Sequence, residues 1–370
     1  MPKLFFLLSG ENETLPAAEV KAILEAEGYS YSNVEVFDQV LRLEAALESV
    51  KVVPVRSAFT RVCALEVFVS NATISDITQA ASEADFKAVL KAGETFAVRI
   101  NRIKNYADEE INTMTLEAKL GKLILNATPG AKVSLKNPDK TFIGIITNNK
   151  LVFGLKLTEI TSKTFSERRP RKKPFFHPSA MPSKLARCMV NLSHAKAESV
   201  LLDPFCGTGT SLIEATYIGC RALGVDAQRR MVIGAQKNLR FFNISAEGLL
   251  WADARKLPFY KVDCIITDPP YGRSSSTLKS TTKQLVQDVL ASAYGLLGVG
   301  QRICIALPIR VNQQGQIDHM SKNLAEYVEG LGYKTIQSHM VFIHRSLTRE
   351  IMVYEKTHFD NKKVKNNLLS

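Results

Sequence analysis

The sequence predicts an α/β protein whose C-terminal half is a doubly wound, mainly parallel sheet with an antiparallel edge strand, preceded by smaller α+β units. Three observations carry that expectation. From residue 183 onward, strand-like and helix-like segments alternate with little interruption, the pattern of parallel crossovers. The chain then closes on two apolar runs, Thr335–Ile343 and Arg349–Tyr354, separated by His344–Thr348, so one terminal strand runs against the others. Before residue 160 short strands and helices mix without alternation, and a basic, proline-rich stretch divides the two regions.

In the first region, apolar alternation predicts strands at Lys3–Leu8, Asn33–Arg42, Phe96–Ile103, Lys132–Leu135, Thr141–Thr147 and Leu151–Lys156. Helices are expected at Ala17–Ala26 and at Met114–Leu125, where Leu116, Leu120, Leu123 and Ile124 share a face. This composition suits one or two small antiparallel-sheet units. The dividing stretch, Thr161–Pro182, holds four prolines and the cations Arg168, Arg169, Arg171, Lys172 and Lys173. Those prolines disfavour a regular element and predict an extended, exposed segment. Two readings of it stand side by side: a solvated linker, or a phosphate-contacting strap in which Phe175 and Phe176 stack on bases.

The third region begins with a helix at Ser183–Ser193 and a strand at Ser199–Leu202, then helix Gly209–Ile218 and strand Arg221–Val225. Helix Arg229–Phe242, strand Gly248–Ala252 and strand Val262–Thr267 follow. Helix Lys283–Leu297, strand Arg302–Leu307 and helix Ser321–Leu331 lead into the closing hairpin.

A chain of 370 residues, 45% hydrophobic, suits two or three folded domains. The apolar start Leu4-Phe5-Phe6-Leu7-Leu8 is broken by Ser9-Gly10-Glu11-Asn12-Glu13, so it reads as a strand and neither a signal peptide nor a membrane span. A soluble, cytoplasmic protein without membrane contact is expected. The net charge of +12 points to a polyanionic partner, since Lys and Arg release counterions from phosphates. Cys63, Cys188, Cys206, Cys220, Cys264 and Cys304 are far apart and mostly in apolar runs, which predicts buried reduced thiols. The histidines are scattered, and no metal site is expected.

Four segments carry chemistry. In L-L-D-P-F-C-G-T-G-T, residues 201–210, Asp203 ends a buried strand, and Gly207 and Gly209 allow a tight turn that a ligand can approach. Phe205 lies within that turn. The run lacks the full dinucleotide fingerprint and the lysine of a phosphate-binding loop, and alone it reads equally as a structural turn. Asp226 ends the next strand, where a carboxylate can accept both ribose hydroxyls or cap the following helix. Asp253 follows Trp251-Ala252 at the third strand end, placed either for an adenine amino group or for a turn. Three acids at successive strand ends around one glycine turn describe a nucleoside pocket without a phosphate-binding element. S-adenosylmethionine fits that pocket better than NAD or ATP.

The fourth segment, I-I-T-D-P-P-Y-G at 265–272, decides the chemistry. Two prolines fix the backbone, so Asp268 and the carbonyl of Pro269, braced by Pro270, can both accept hydrogen bonds from an exocyclic NH2. Such an amine is a poor nucleophile because its lone pair is conjugated with the ring. Holding both hydrogens rehybridises the nitrogen and turns the lone pair toward a sulfonium methyl. Tyr271 can stack on a base that has left its helix, and Gly272 permits close approach.

At these residues the chain resembles the Rossmann-like amino-methyltransferases with a [D/N]-P-P-[Y/F] motif. The run 168–187, R-R-P-R-K-K-P-F-F-H-P-S-A-M-P-S-K-L-A-R, together with V-N-L at 190–192, resembles the archaeal tRNA guanine-10 N2-methyltransferases. E-A-K-L-G-K-L-I and V-S-L-K-N-P-D-K, within 96–156, resemble a THUMP core. The resemblance implies a ferredoxin-like unit at 1–60, a THUMP RNA-binding domain at 61–160, a basic linker at 161–182 and a methyltransferase domain at 183–370. It implies methylation of the exocyclic N2 amine of a tRNA guanine, once or twice, with tRNA measured by its 3′ acceptor end. The methionine part of the cofactor would lie on the D-P-F-C-G-T-G turn, and ribose and adenine on the later acids. A monomer is expected, with a small activator subunit as an option. The run A-M-P-S-K departs from the family, which more often places Gly before Met and Pro after Ser; this bears only on loop shape.

Other readings are an adenine N6-methyltransferase on RNA or DNA, and a non-catalytic THUMP-type RNA-binding protein. The intact acids Asp203, Asp226, Asp253 and Asp268 weigh against the second, and the THUMP-like region and basic segment against the first. A glutamine methyltransferase would carry Asn at 268, and a thiouridine synthase would need a pyrophosphatase loop that the sequence lacks.

Overall fold

Five buried residues in a row, Leu4 to Leu8, make the first strand β1 (Lys3–Leu8) an internal one, flanked on both sides. The computed structural model describes residues 1–104, 111–161, 163–270, 281–311, 317–344 and 347–357. These divide into two compact units, Met1–Ser162 and Lys163–Ser370.

In the first unit β1 leads to α1 (Leu15–Ala26) and then to β2 (Tyr31–Phe37) and β3 (Val40–Ala45). The single strand expected over 33–42 is therefore a hairpin: Gln39 sits at φ 59 and Phe37 pairs with Val40. After the short α2 (Val53–Arg56) comes β4 (Thr60–Asn71), then α3 (Ile74–Glu83), neither of them expected from the sequence. β5 (Thr95–Arg102), α4 (Thr113–Ala127), β6 (Lys132–Val133), β7 (Lys140–Thr147) and β8 (Lys150–Glu159) complete the unit. Helix α4 starts where the Asn112 side chain accepts the Thr115 N–H at 3.1 Å, and it buries Leu116, Leu120 and Ile124.

All eight strands form one sheet, ordered β2-β3-β1-β4-β8-β7-β5-β6. β4 is why. Its first half pairs with β1 (Leu4 opposite Leu65) while its length pairs with β8, from Val62 opposite Glu159 to Asn71 opposite Lys150. The two strands approach so closely that a Cβ on Gly154 would lie 2.0 Å from the Leu65 carbonyl oxygen. The boundary expected at 60/61 thus falls at the first residue of a strand that serves both halves. β5 runs parallel to β6 and β7, so the sheet is mixed.

The second unit opens with α5 (Lys163–Glu167) and a single 3-10 turn at Pro170–Lys172, where the sequence predicted no regular element. Then follow α6 (Ser183–Leu192), β9 (Val200–Asp203), α7 (Thr210–Thr216), β10 (Arg221–Asp226), α8 (Arg229–Phe241) and β11 (Gly248–Trp251). β12 (Cys264–Thr267), α9 (Thr282–Leu296), β13 (Arg302–Val311), the short β14 (Ile317–His319) and α10 (Met320–Gly330) lead to β15 (Tyr333–His344) and β16 (Leu347–Lys356). The sheet order is β11-β10-β9-β12-β13-β16-β15, with β9 to β13 mutually parallel and β16 antiparallel to both neighbours.

The fold class is the expected doubly wound one, with one refinement. The antiparallel strand is set one place in from the edge, because Ile351, Met352, Val353 and Tyr354 are buried on both faces. β15 takes the margin instead and leaves Met340 and Phe342 exposed. One face of the sheet packs Val286, Leu290 and Ala293 of α9 and Leu324 and Val328 of α10 against Leu202, Val225, Ile265 and Ile303. All six cysteines are buried and free, as the sequence predicts. Among the described residues no helix is long and apolar enough to cross a membrane.

Candidate active site

The strand order reverses between β9 and β12, and it is outside the carboxyl ends of strands at such a reversal that doubly wound sheets bind ligands. Asp203, the last residue of β9, accepts the Phe205 N–H at 3.0 Å and the Ser211 hydroxyl. Burial pushes its carboxyl up to about 7; the two hydrogen bonds oppose the shift and the nearby charges of Asp268 and Asp226 reinforce it. The chain then turns through Gly207 (φ 51) and Gly209 (φ 78), conformations that side chains rarely adopt. A Cβ on Gly209 would press Ala235 of α8 at 3.1 Å, so that glycine serves packing. A Cβ on Gly207 would meet only the Phe205 carbonyl oxygen, at 3.8 Å; open space lies above it.

Asp226 ends β10 as expected. Its Oδ2 accepts the Gly207 N–H at 3.0 Å and its Oδ1 the Gln228 N–H at 2.8 Å, so it braces the glycine turn. Helix α8 is capped by Gln228 without a side-chain bond, which removes the capping role considered for Asp226. Burial raises this carboxyl, against the two backbone N–H bonds and the neighbouring His177. Asp253 lies just beyond β11, but Arg255 holds it: Nε is 3.0 Å from both carboxylate oxygens and Nη2 is 2.5 Å from Oδ2. Arg255 therefore occupies an edge the sequence reading left open for adenine, and it keeps the carboxyl below its ordinary value.

Asp268 stands immediately after β12, with Pro269 buried and Pro270 half-buried. Tyr271 and Gly272 lie outside the described residues. The Asp268 carboxylate receives Nη2 of Arg349, on β16, at 2.6 Å. Arg349 was not among the residues expected from the sequence; its signal is the charged pair Arg349-Glu350 directly before the apolar run Ile351–Tyr354.

The basic segment departs most from expectation. Arg168 is buried and forms a two-point bond to Glu214 of α7, Nε to Oε1 at 2.8 Å and Nη2 to Oε2 at 3.0 Å. Its guanidinium lies 4.7 Å from the Phe165 ring centre and 4.5 Å from that of Tyr217. Arg187 reaches the same carboxylate at 3.0 Å. Lys173 is buried too, with Nζ 2.6 Å from Thr210 Oγ1, and burial lowers its amine to about 8. Phe175 covers α8 so tightly that a Cβ on Gly234 would sit 2.0 Å from its ring. These three residues are built into the second unit and are not an exposed strap. Their partners lie some 37 to 63 residues along the chain, where local pattern does not reach. Arg169, Arg171 and Lys172 are exposed, as is Phe176, with Arg171 6.0 Å from its ring.

The comparisons agree with this architecture. Residues 170–330 match the family described as RMKL-like, methyltransferase domain, and residues 71–156 match the THUMP domain. A tRNA (guanine(10)-N2)-dimethyltransferase of Methanothermobacter thermautotrophicus is 35% identical over 96% of this chain and 99% of its own length. The Pyrococcus abyssi protein of the same name is 34% identical over 76% of this chain and 80% of its own. Among solved structures, TrmN from Thermus thermophilus has a TM-score of 0.51 at 21% identity, covering 96% of this chain and 99% of that one, a likeness of fold.

Proposed function

The chain belongs to the family of tRNA (guanine(10)-N2)-dimethyltransferases, and from that premise we propose that it methylates the N2 amine of guanine 10 in tRNA, using S-adenosylmethionine. The observation that carries the reading is the row of carboxylates Asp203, Asp226, Asp253 and Asp268 at the carboxyl ends of the neighbouring strands β9, β10, β11 and β12.

A sheet edge lined by acids, with open space over Gly207, suits S-adenosylmethionine, which carries both a sulfonium and an ammonium. When bound, the cofactor supplies an electrophilic methyl group. Asp203, with Phe205 and the Gly207–Gly209 turn, would hold the amino-acid end, Asp226 the ribose hydroxyls, and Asp253 the adenine amine once Arg255 yields an acceptor position. Asp268 and the Pro269 carbonyl would each accept one hydrogen of the guanine amine. With both hydrogens held, the nitrogen lone pair would be free of the ring to accept the methyl group, and Asp268 would take the proton that the amine gives up. Tyr271 would stack on the extruded base. Positioning and desolvation supply much of the rate.

For tRNA we assign the exposed Arg169, Arg171, Lys172 and Phe176 and the THUMP region, with residues 1–60 as a supporting unit. Purified protein, unmodified tRNA and methyl-labelled cofactor test the whole reading. Mass spectrometry of the digested nucleosides should show N2-methylguanosine followed by N2,N2-dimethylguanosine; label in N6-methyladenosine, or in no nucleoside, would overturn it.

A further inference from the structure

Three of the four strand-end acids orient themselves by one local device. Asp203 accepts the N–H of Phe205, Asp226 that of Gln228, and Asp253 that of Arg255, in each case the residue two positions on. Asp268 is barred from this device, because the residue two positions on is Pro270 and the one between is Pro269, and neither has an N–H. The same prolines that aim the carbonyls of this segment deny Asp268 the donor that serves the other three acids.

A side-chain donor comes from β16. Arg349 stands opposite Pro308 of β13, the strand between β16 and β12, and its side chain crosses to Asp268 Oδ2 at 2.6 Å. The arginine side chain is 6% exposed and the aspartate 16%, so the pair is shielded from the solvent that weakens surface ion pairs. The next residue, Glu350, takes part in a separate network with Ser321, Ser338 and His319. A planar guanidinium restricts a carboxylate in direction as well as distance, which a backbone N–H does for the other three acids.

We propose that Arg349 is a positioning residue for Asp268: it supplies a side-chain donor where the double proline removes the backbone one, and holds the carboxylate toward the guanine amine. Arg349 touches neither cofactor nor base in this account. The inference rests on the proposed methyl transfer.

The test is single-turnover methylation of tRNA with cofactor and tRNA both saturating, in the full-length protein. Arg349→Met should slow methyl transfer about a hundredfold, the cost of a misplaced reacting group, while the dissociation constants of S-adenosylmethionine and tRNA stay within about threefold of wild type. In an Asp268→Asn background, Arg349→Met should add little further loss, since the group it positions is already compromised. Should Arg349→Met lower the melting temperature markedly, Arg349→Lys carries the test: it keeps the charge, loses the planar donor set, and should still slow transfer at unchanged binding. Equal fold-losses from Arg349→Met in both backgrounds, or unchanged transfer in Arg349→Lys and Arg349→Met alike, would overturn the role. A wild-type protein that binds the cofactor yet methylates no tRNA guanine would sink the proposed function itself, and this inference with it.

Discussion

Asn238 clamps Phe175 by both of its backbone groups: the amide oxygen accepts the Phe175 N–H at 2.9 Å and the amide nitrogen donates to the Phe175 carbonyl at 2.9 Å. The same nitrogen also donates to the Thr208 carbonyl at 2.9 Å, tying the basic segment to the glycine turn. Asn238→Ala would take the side-chain partner from three backbone groups, two half-buried on Phe175 and one buried on Thr208. A loss of roughly 2–4 kcal/mol in unfolding free energy is expected, together with weaker S-adenosylmethionine binding. Calorimetry on the purified variant checks both, and unchanged cofactor affinity would separate the clamp from the turn.

The two halves of the basic segment should respond oppositely to neutralisation. Replacing the exposed Arg169, Arg171 and Lys172 with Gln should flatten the log–log salt dependence of tRNA affinity by roughly two to three units. Arg168→Gln and Lys173→Gln should leave that slope alone and lower the melting temperature, since both cations are buried against α7. Filter binding over a salt series, beside thermal melts, distinguishes them.

Asp203 should make cofactor binding depend on pH. Its carboxyl is held near 7 by burial, and a bound cation favours the ionised form, so S-adenosylmethionine affinity should rise as pH passes upward through about 7. The stability of the ligand-free protein should move the other way. The folded value lies above the unfolded one, so the folded state binds the extra proton, and this contribution is full below about 4 and lost as pH rises through about 7. Asp203→Asn should remove both trends. A wild-type affinity flat from pH 5.5 to 8.5 would show that this carboxyl does not meet the cofactor's charge.

Asp226→Ala should cost about 1.5–3 kcal/mol of S-adenosylmethionine binding and leave tRNA affinity nearly unchanged. Asp268→Ala should do the reverse of a binding mutant: both ligands retained, turnover lost. Transfer at the wild-type rate in the Asp268 variant would refute the amine-holding mechanism.

Trimming the 3′ acceptor end from tRNA should abolish methylation if the THUMP region acts as a ruler. Equal rates on trimmed and intact tRNA would reduce the first unit to nonspecific binding.

By itself the sequence determined most of the second unit, because strand and helix periodicities are local. The strand expected at Arg221–Val225 and the helix expected at Arg229–Phe242 each stand within one residue of where apolar spacing puts them, as Lys3–Leu8 does in the first unit, and D-P-F-C-G-T-G-T folds as the tight turn its glycines require. The tertiary structure decided which side chains meet. The pairs Arg168–Glu214, Phe175–Asn238 and Arg349–Asp268 join residues 46, 63 and 81 positions apart. A buried charge takes whichever partner the packed sheet and helices bring within reach, so a run of cations read as one exposed strap was divided residue by residue. β4 was missed for a related reason: a strand that binds two halves of a sheet is defined by its neighbours, and Thr60–Asn71 acquires its length from β1 on one side and β8 on the other.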